Sequence, residues 1–254
     1  MGTAADACEK AEGRCVAMQL NTQFMWDTFL DVLHGIPVTL QIVIVTLLVS
    51  VPLGFLMAVS KSGEGRIGRR IIVAYVSFIR GTPVVLQILF LYSLLPTVLN
   101  YLIKEALGLS YNIFTLDPIV YAYIVFILNT TAVLSEVFRS ALLTVNKGQM
   151  EAALSVGMSK PQAYVRIIIP QALVAALPNI CNTTVSLLKS TSLAFMMTVK
   201  DITAIAKIDA SFGYNYLEAY LVIFVVYIFL CSAVQGVFHL TERNAAAYKK
   251  PAVS

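Results

Sequence analysis

Residues 145–166 read VNKGQMEAALSVGMSKPQAYVR, and this stretch separates two long apolar runs with more internal structure than a plain connection needs. Asn146 and Gly148 end the preceding run, and Gln149 to Val156 predicts a helix of about 8 residues, ~12 Å long at the helical rise. Gly157 stops that helix. Ser159 then opens a second one, with Gln162 three residues on completing a capping box and Pro161 tolerated in the first turn. The outcome is a helical bracket standing clear of the apolar runs, with Ala152, Ala153 and Leu154 offered to a partner.

Outward from the bracket, the chain is a series of apolar runs, at about 35–60, 67–95, 118–143, 167–188 and 214–240. Each is long enough to cross a hydrocarbon core of ~30 Å, which takes about 20 residues. Backbone polar groups in lipid must be satisfied within the segment, and the runs lack the every-second-residue alternation of a barrel strand, so they are helices. The predicted fold is an all-α integral membrane protein with five transmembrane helices. Composition agrees: of 254 residues 58% are apolar and 13% charged, where soluble domains carry roughly 25% charged residues. A disordered chain is excluded, and a net charge of +4 over this length makes no basic face for nucleic acid.

Pro37 suits the first turn of its helix, and Ser62, Gly63 and Gly65 mark a tight turn after the first span. Lys61, Arg66, Arg69, Arg70, Arg139, Lys147, Lys160, Arg166, Arg243, Lys249 and Lys250 fall on one side of the layer. Lys10, Arg14, Lys104, Lys189, Lys200 and Lys207 are the smaller group on the other. The larger group marks the cytoplasm, which sets the N-terminus outside and the C-terminus inside. The chain then divides into an extracytoplasmic tail (1–21), a transmembrane domain (22–240) and a cytoplasmic tail (241–254). The first twenty residues lack the apolar core of a signal peptide and the Arg-rich make-up of a transit peptide. Cys8 and Cys15 lie where a disulfide persists, and a bonded pair and two free thiols remain the alternatives. No CxxC or Cys/His cluster suggests a metal, and no cofactor is implied.

Charged groups inside spans are costly in lipid and usually line a cavity. Arg80 falls mid-span, directly before Gly81-Thr82-Pro83, where Gly and Pro unwind or kink the helix and expose backbone ends as broken helices do at substrate sites. Glu136 and Arg139 stand i, i+3 on one helix face, for which the plainer reading is an intrahelical ion pair. Lys189 caps the fourth span at a Ser/Thr-rich break, and the plainer reading of Lys189 and Arg80 is snorkelling to the headgroups. His34 and His239 are single histidines at span ends. Trp26, Tyr92, Tyr101, Tyr111, Tyr214, Tyr216 and Tyr220 suit interfacial belts, and Phe24 to Val32 predicts an amphipathic helix on the outer surface with Trp26 and Phe29 at the lipid boundary.

The run Glu151-Ala152-Ala153, then Gly157, then Ile169-Pro170 resembles the EAA motif of permease subunits of bacterial ABC importers. Further stretches are similar to the polar amino acid permeases of the type I importers: Phe78-Ile79-Arg80-Gly81-Thr82-Pro83 with Gln87, Ser135-Glu136-Val137-Phe138-Arg139, Gly148-Gln149, Pro170-Gln171-Ala172, Leu177-Pro178 and Leu188-Lys189-Ser190-Thr191-Ser192-Leu193. The resemblance covers about 35–240. It departs at Ser190, where that family usually has Asp, and at Ile169, more often Leu.

The resemblance implies an ATP-driven importer of the bacterial cytoplasmic membrane that moves a polar amino acid by alternating access. Its partners would be a separate ATPase subunit, a second permease chain, identical or related, and an extracytoplasmic binding protein. It makes Glu151, Ala152, Ala153, Gly157 and Ser159 the ATPase-coupling residues. GxxxxGK[ST] is absent, so this chain does not cradle ATP phosphates itself. HExxH and GxSxG are absent too, which argues against an intramembrane enzyme with a catalytic residue of its own. An ion-driven carrier or channel is the alternative, and it leaves the bracket unexplained. A zwitterionic substrate needs donors for its carboxylate and an acceptor for its ammonium group. Arg80, with its planar fork, is the expected carboxylate partner and Glu136 the expected ammonium partner. Thr82 at the break belongs to the same expected substrate-binding set, and Gln87, Asn129, Lys189 and Ser192 would shape side-chain selectivity.

Overall fold

The computed structural model describes residues 20–62, 66–102, 104 and 116–247. Expectations resting on Cys8, Cys15, Gly63, Gly65, Tyr111, Lys249 and Lys250 lie outside those residues. Among the described residues every element is helical: α1 (Thr22–Leu33), α2 (Ile36–Ser62), α3 (Arg66–Gly81), α4 (Val84–Tyr101), α5 (Pro118–Thr144), α6 (Lys147–Ser155), α7 (Lys160–Ala163), a π turn (Tyr164–Ile168), α8 (Ile169–Ser190), a 3-10 segment (Thr191–Met197), α9 (Ile202–Gly213) and α10 (Tyr216–Ala247). Five stretches are long and apolar enough to cross a membrane: Ile36–Lys61, Val84–Tyr101, Pro118–Thr144, Lys160–Met197 and Tyr216–Asn244.

Three boundaries differ from the expected ones. The run 67–95 is not one span. Pro83 has no N–H to donate and sits in extended conformation (φ −61°, ψ 135°), so α3 stops at Gly81 and the crossing helix begins at Val84. Arg80 is therefore the exposed last turn of α3 and not a mid-span residue. The fourth span starts earlier than 167, because helix runs on from Lys160 through the π turn into α8. The last helix continues to Ala247, past the limit expected at 240.

α2 and α5 form the centre. Gly54 lets them touch: a Cβ there would lie 2.9 Å from the Leu134 Cβ and 3.2 Å from its carbonyl carbon. Small residues at such a crossing permit the close backbone approach on which packing in lipid depends. Around it, Ile42, Val43, Ile88, Val125, Phe126 and Leu188 make one buried cluster, and Ala58, Leu134, Phe138, Ala141, Ala172 and Ala176 a second nearer the bracket. At the opposite end α1 lies across α9 and α10, burying Val32 against Ile202, Ala206, Ala210 and Val222. As expected for the 24–32 segment, α1 is amphipathic, with Asn21 capping it (Phe24 N–H to Asn21 Oδ1, 3.0 Å) and Trp26, 60% exposed, stacked on Phe29 at 5.9 Å.

Candidate functional site: a helix break, a polar groove and a capped bracket

The break between α3 and α4 leaves main-chain carbonyls without helical partners. Gln87, one turn into α4, satisfies them. Its Nε2 donates to the Ile79 carbonyl (2.7 Å), the Thr82 carbonyl (3.0 Å) and Thr82 Oγ1 (2.8 Å). The Thr82 hydroxyl donates in turn to the Phe78 carbonyl at 3.0 Å. On the other side of Gln87, Asn129 of α5 donates Nδ2 to Gln87 Oε1 at 3.0 Å. Thr82, Gln87 and Asn129 are thus joined across two helices and one break, the last two from 42 positions apart.

Asn129 also lines a groove of about 230 Å³ between α5 and α8. Phe126, Thr130, Val133 and Val137 complete the α5 wall, and Asn179, Asn182, Thr183, Ser186 and Ser190 give the α8 wall its polarity. Those five fall on one helical face at i, i+3, i+4, i+7 and i+11. The sequence reading passed over all but Ser190, although polar residues at that spacing in an apolar helix are a visible signal. Polar faces at membrane depth border protein or water rather than lipid.

Glu136 lies two turns along α5 from Asn129, and both its oxygens are taken. Lys61 Nζ is 2.5 Å from Oε1 and Arg139 Nε 2.7 Å from Oε2. The expected i, i+3 pair exists, and Lys61, with a side chain only 6% exposed, joins it from α2. In the expected role of Glu136, a substrate ammonium would have to displace two charge-assisted bonds. Glu218, an acid at the start of α10, is likewise engaged, accepting from the Asn21 N–H at 3.2 Å.

The bracket is built as its residues suggested. Asn146 Oδ1 accepts from the Gly148 N–H (2.9 Å) at the start of α6. The helix closes in a Schellman pattern, Met158 N–H to the Ala153 carbonyl (3.1 Å) and Gly157 N–H to the Leu154 carbonyl (3.0 Å), which requires the left-handed conformation that Gly157 adopts (φ +85°). The Ser159 N–H donates to Gln162 Oε1 at 3.0 Å, one half of the capping box. Glu151, Ala152, Leu154 and Val156 are exposed, Val156 to 78%. Ala153, expected to face a partner, is corrected: it is 3% exposed and packed inward, because the turn at Gly157 folds α7 back over it.

Between bracket and span, Pro170 cannot supply the N–H that an α-helix would send to the Arg166 carbonyl. The chain answers with the π turn Tyr164–Ile168, and Gln171 Nε2 donates to the Ile167 carbonyl at 3.0 Å.

Residues 50–245 match the family described as the binding-protein-dependent transport system inner membrane component. The chain belongs to this family. A probable amino-acid permease of Bacillus subtilis, YxeN, is 35% identical over 82% of this chain and 88% of its own length. The L-cystine transport system permease protein TcyB of the same organism is 32% identical over 91% of this chain and 96% of its own. A crystal structure of an amino acid ABC transporter with histidines superposes at TM-score 0.75 and 26% identity, covering 89% of this chain and all of that one. The MetNI methionine transporter in an inward facing conformation shares the fold, at TM-score 0.64 and 17% identity over 89% of this chain and 99% of its own.

In this inner membrane transport component, a multi-pass protein, the expected site residues separate into groups. Thr82, Gln87 and Asn129 come together at the break. Ser192 is half-buried with its hydroxyl bonded to the Lys189 carbonyl (2.7 Å), and Lys189 is exposed; neither lines the groove. Arg80 has no hydrogen bond or ion pair among the described residues and lies outside the groove lining. Among the described residues there is no cluster of His, Cys, Asp or Glu able to hold a metal ion.

Proposed function

We propose that the chain is the membrane-spanning subunit of an ATP-driven amino acid importer. The relatives named as amino-acid and L-cystine permeases support the substrate class. The observation that carries the coupling is the capped bracket, a rigid turn-stabilised element that presents Glu151, Ala152, Leu154 and Val156 beyond the ends of the spans. Exposed apolar side chains on an otherwise polar element mark a docking surface. A separate ATPase subunit seats on it in the cytoplasm, with Gly157 and Ser159 holding the shape and the buried Ala153 setting how closely α6 and α7 pack. Lys147, Lys160 and Arg166, all exposed around the bracket, agree with a cytoplasmic position and with an N-terminus outside.

ATP-driven closure alternates the access of a site at the break and the groove. A second permease chain closes the open side of the groove, and an extracytoplasmic binding protein delivers the amino acid to the end carrying α1 and α9. Thr82, Gln87 and Asn129 form the fixed part of the site. Arg80, free of partners within the described chain, meets the substrate carboxylate.

Reconstitution in proteoliposomes with the ATPase and binding protein tests the reading. ATP-dependent uptake of an amino acid is expected, and uptake of equal rate without ATP or the ATPase overturns it in favour of an ion-driven carrier.

A further inference from the structure

The orientation of the Asn129 amide is dictated by the helix break some distance away. Main-chain carbonyls accept hydrogen bonds and never donate them, so the Ile79 and Thr82 carbonyls, at 2.7 and 3.0 Å, compel Gln87 to turn its NH₂ toward the break. Gln87 Oε1 then faces α5 and has only lone pairs to offer. Asn129 answers with Nδ2 at 3.0 Å. What remains of Asn129 is Oδ1, which has no hydrogen-bond partner among the described residues, on a side chain that lines the groove.

The opposite wall is committed in the same sense. The Thr183 hydroxyl donates to the Asn179 carbonyl at 2.8 Å, and the Ser190 hydroxyl to the Ser186 carbonyl at 2.9 Å. A hydroxyl has one proton, so both residues are left with lone pairs for the groove. The side chains of Asn179, Asn182 and Ser186 have no hydrogen-bond partner among the described residues. Among the described residues no carboxylate lines the groove, so the acceptors are neutral.

We infer that this groove binds the ammonium group of the transported amino acid through neutral oxygens, Asn129 Oδ1 together with one hydroxyl of the α8 wall, since Thr183 and Ser190 stand two turns apart and cannot both reach one nitrogen, and that Gln87 is a positioning residue holding Asn129 in its accepting orientation. The inference rests on the amino acid permease reading and assigns to these oxygens the task that Glu136, engaged with Lys61 and Arg139, does not perform. Neutral acceptors suit a carrier, because they bind a cation without the full cost of parting from a paired anion.

The experiment uses the transporter assembled with its ATPase, without the binding protein, in nanodiscs. The twenty proteinogenic L-amino acids and L-cystine are screened as probes by thermal shift and equilibrium binding, and each binder is compared with its desamino analogue. The desamino form is expected to bind at least about tenfold more weakly, the scale of losing hydrogen bonds to a charged group. Gln87→Leu and Asn129→Leu are expected to weaken binding to a similar degree. The deciding variant is Gln87→Leu with Asn129→Asp: a carboxylate accepts at both oxygens and needs no orienting partner, so binding returns. A merely structural role for Gln87 predicts no rescue, and that result overturns the inference. Equal binding of the desamino analogue overturns it too, and saturation by sodium ion in place of the amino acid reassigns the cradle to a metal cation. If no probe binds while ATP-dependent uptake proceeds with the binding protein present, the inference fails and the permease reading stands. If uptake is absent with every partner present, the permease reading itself fails.

Discussion

Lys61 of α2 and Glu136 of α5, 75 residues apart, meet with Nζ 2.5 Å from Oε1 beside the Gly54 crossing, and Arg139 takes the other oxygen. Removing one partner of such a pair strands the other charge, at a cost of about 3–5 kcal/mol when buried. Glu136→Gln is therefore expected to lower the unfolding temperature of the purified protein more than Arg139→Gln, whose side chain is 43% exposed. The double variant Lys61→Met, Glu136→Gln should be less destabilised than the two single losses added together. Additive losses in a thermal melt would show that the pair is not energetically coupled.

Gly157 lies in the left-handed region at φ +85°, with open space where a Cβ would go. Gly157→Val therefore costs backbone strain on the order of 1–2 kcal/mol and distorts the turn without a clash. The expected result is normal assembly of the transporter with reduced substrate stimulation of ATP hydrolysis. Glu151→Lys, which inverts an exposed charge on α6, should act the same way through the docking surface. Unchanged stimulation in both variants would remove the bracket from the coupling route.

Asp201 caps α9 through Oδ1 (Ala204 N–H, 2.9 Å) and is fully buried, which pushes its carboxyl up from the ordinary 3.8 to about 6. Because the folded pKa is raised, the folded state holds the extra proton between the two values, and stability from this group is lost as pH rises through about 6. Asp201→Asn keeps a cap and removes the buried charge. Its unfolding temperature should match the parent near pH 4, pull ahead as pH rises, and hold a constant lead above pH ~7. A lead independent of pH would contradict the burial account.

Arg80 has no partner among the described residues and stands at the edge of the break. If it meets the substrate carboxylate, Arg80→Ala weakens amino acid binding to the assembled transporter by about tenfold or more, and Arg80→Lys restores only part, since an ammonium lacks the two-pronged geometry. Parent-like binding by Arg80→Ala would exclude that role.

Labelling of Cys8 and Cys15 by a membrane-impermeant thiol reagent is expected in intact cells, directly or after reduction. Reaction only in permeabilised cells would reverse the orientation derived from the lysines and arginines.

Local chemistry is what the sequence displayed. Pro83 announces the break because a missing N–H ends a helix wherever it falls, and Asn146, Gly157, Ser159 and Gln162 announce the bracket because caps act over three or four residues. The i, i+3 placement of Glu136 and Arg139 is read from spacing alone. Lys61 was out of reach, since its meeting with Glu136 depends on how α2 lies on α5. Ala153 turned inward for a similar reason, its side being chosen by the fold of α7 over α6. The Asn179, Asn182, Thr183, Ser186 stripe was available by periodicity, but which wall it faced was not.

The π turn ahead of Pro170 works as a phase setting. Each residue of a helix advances the azimuth by about 100°, so one residue inserted into a single turn leaves everything beyond it rotated by that angle, with ~1.5 Å of rise. The residue count in Tyr164–Ile168 thus fixes the compass bearing of the bracket relative to the groove face of α8. A single deletion there, with every named side chain kept, would leave Val156 and Leu154 pointing about a quarter-turn away from their present direction.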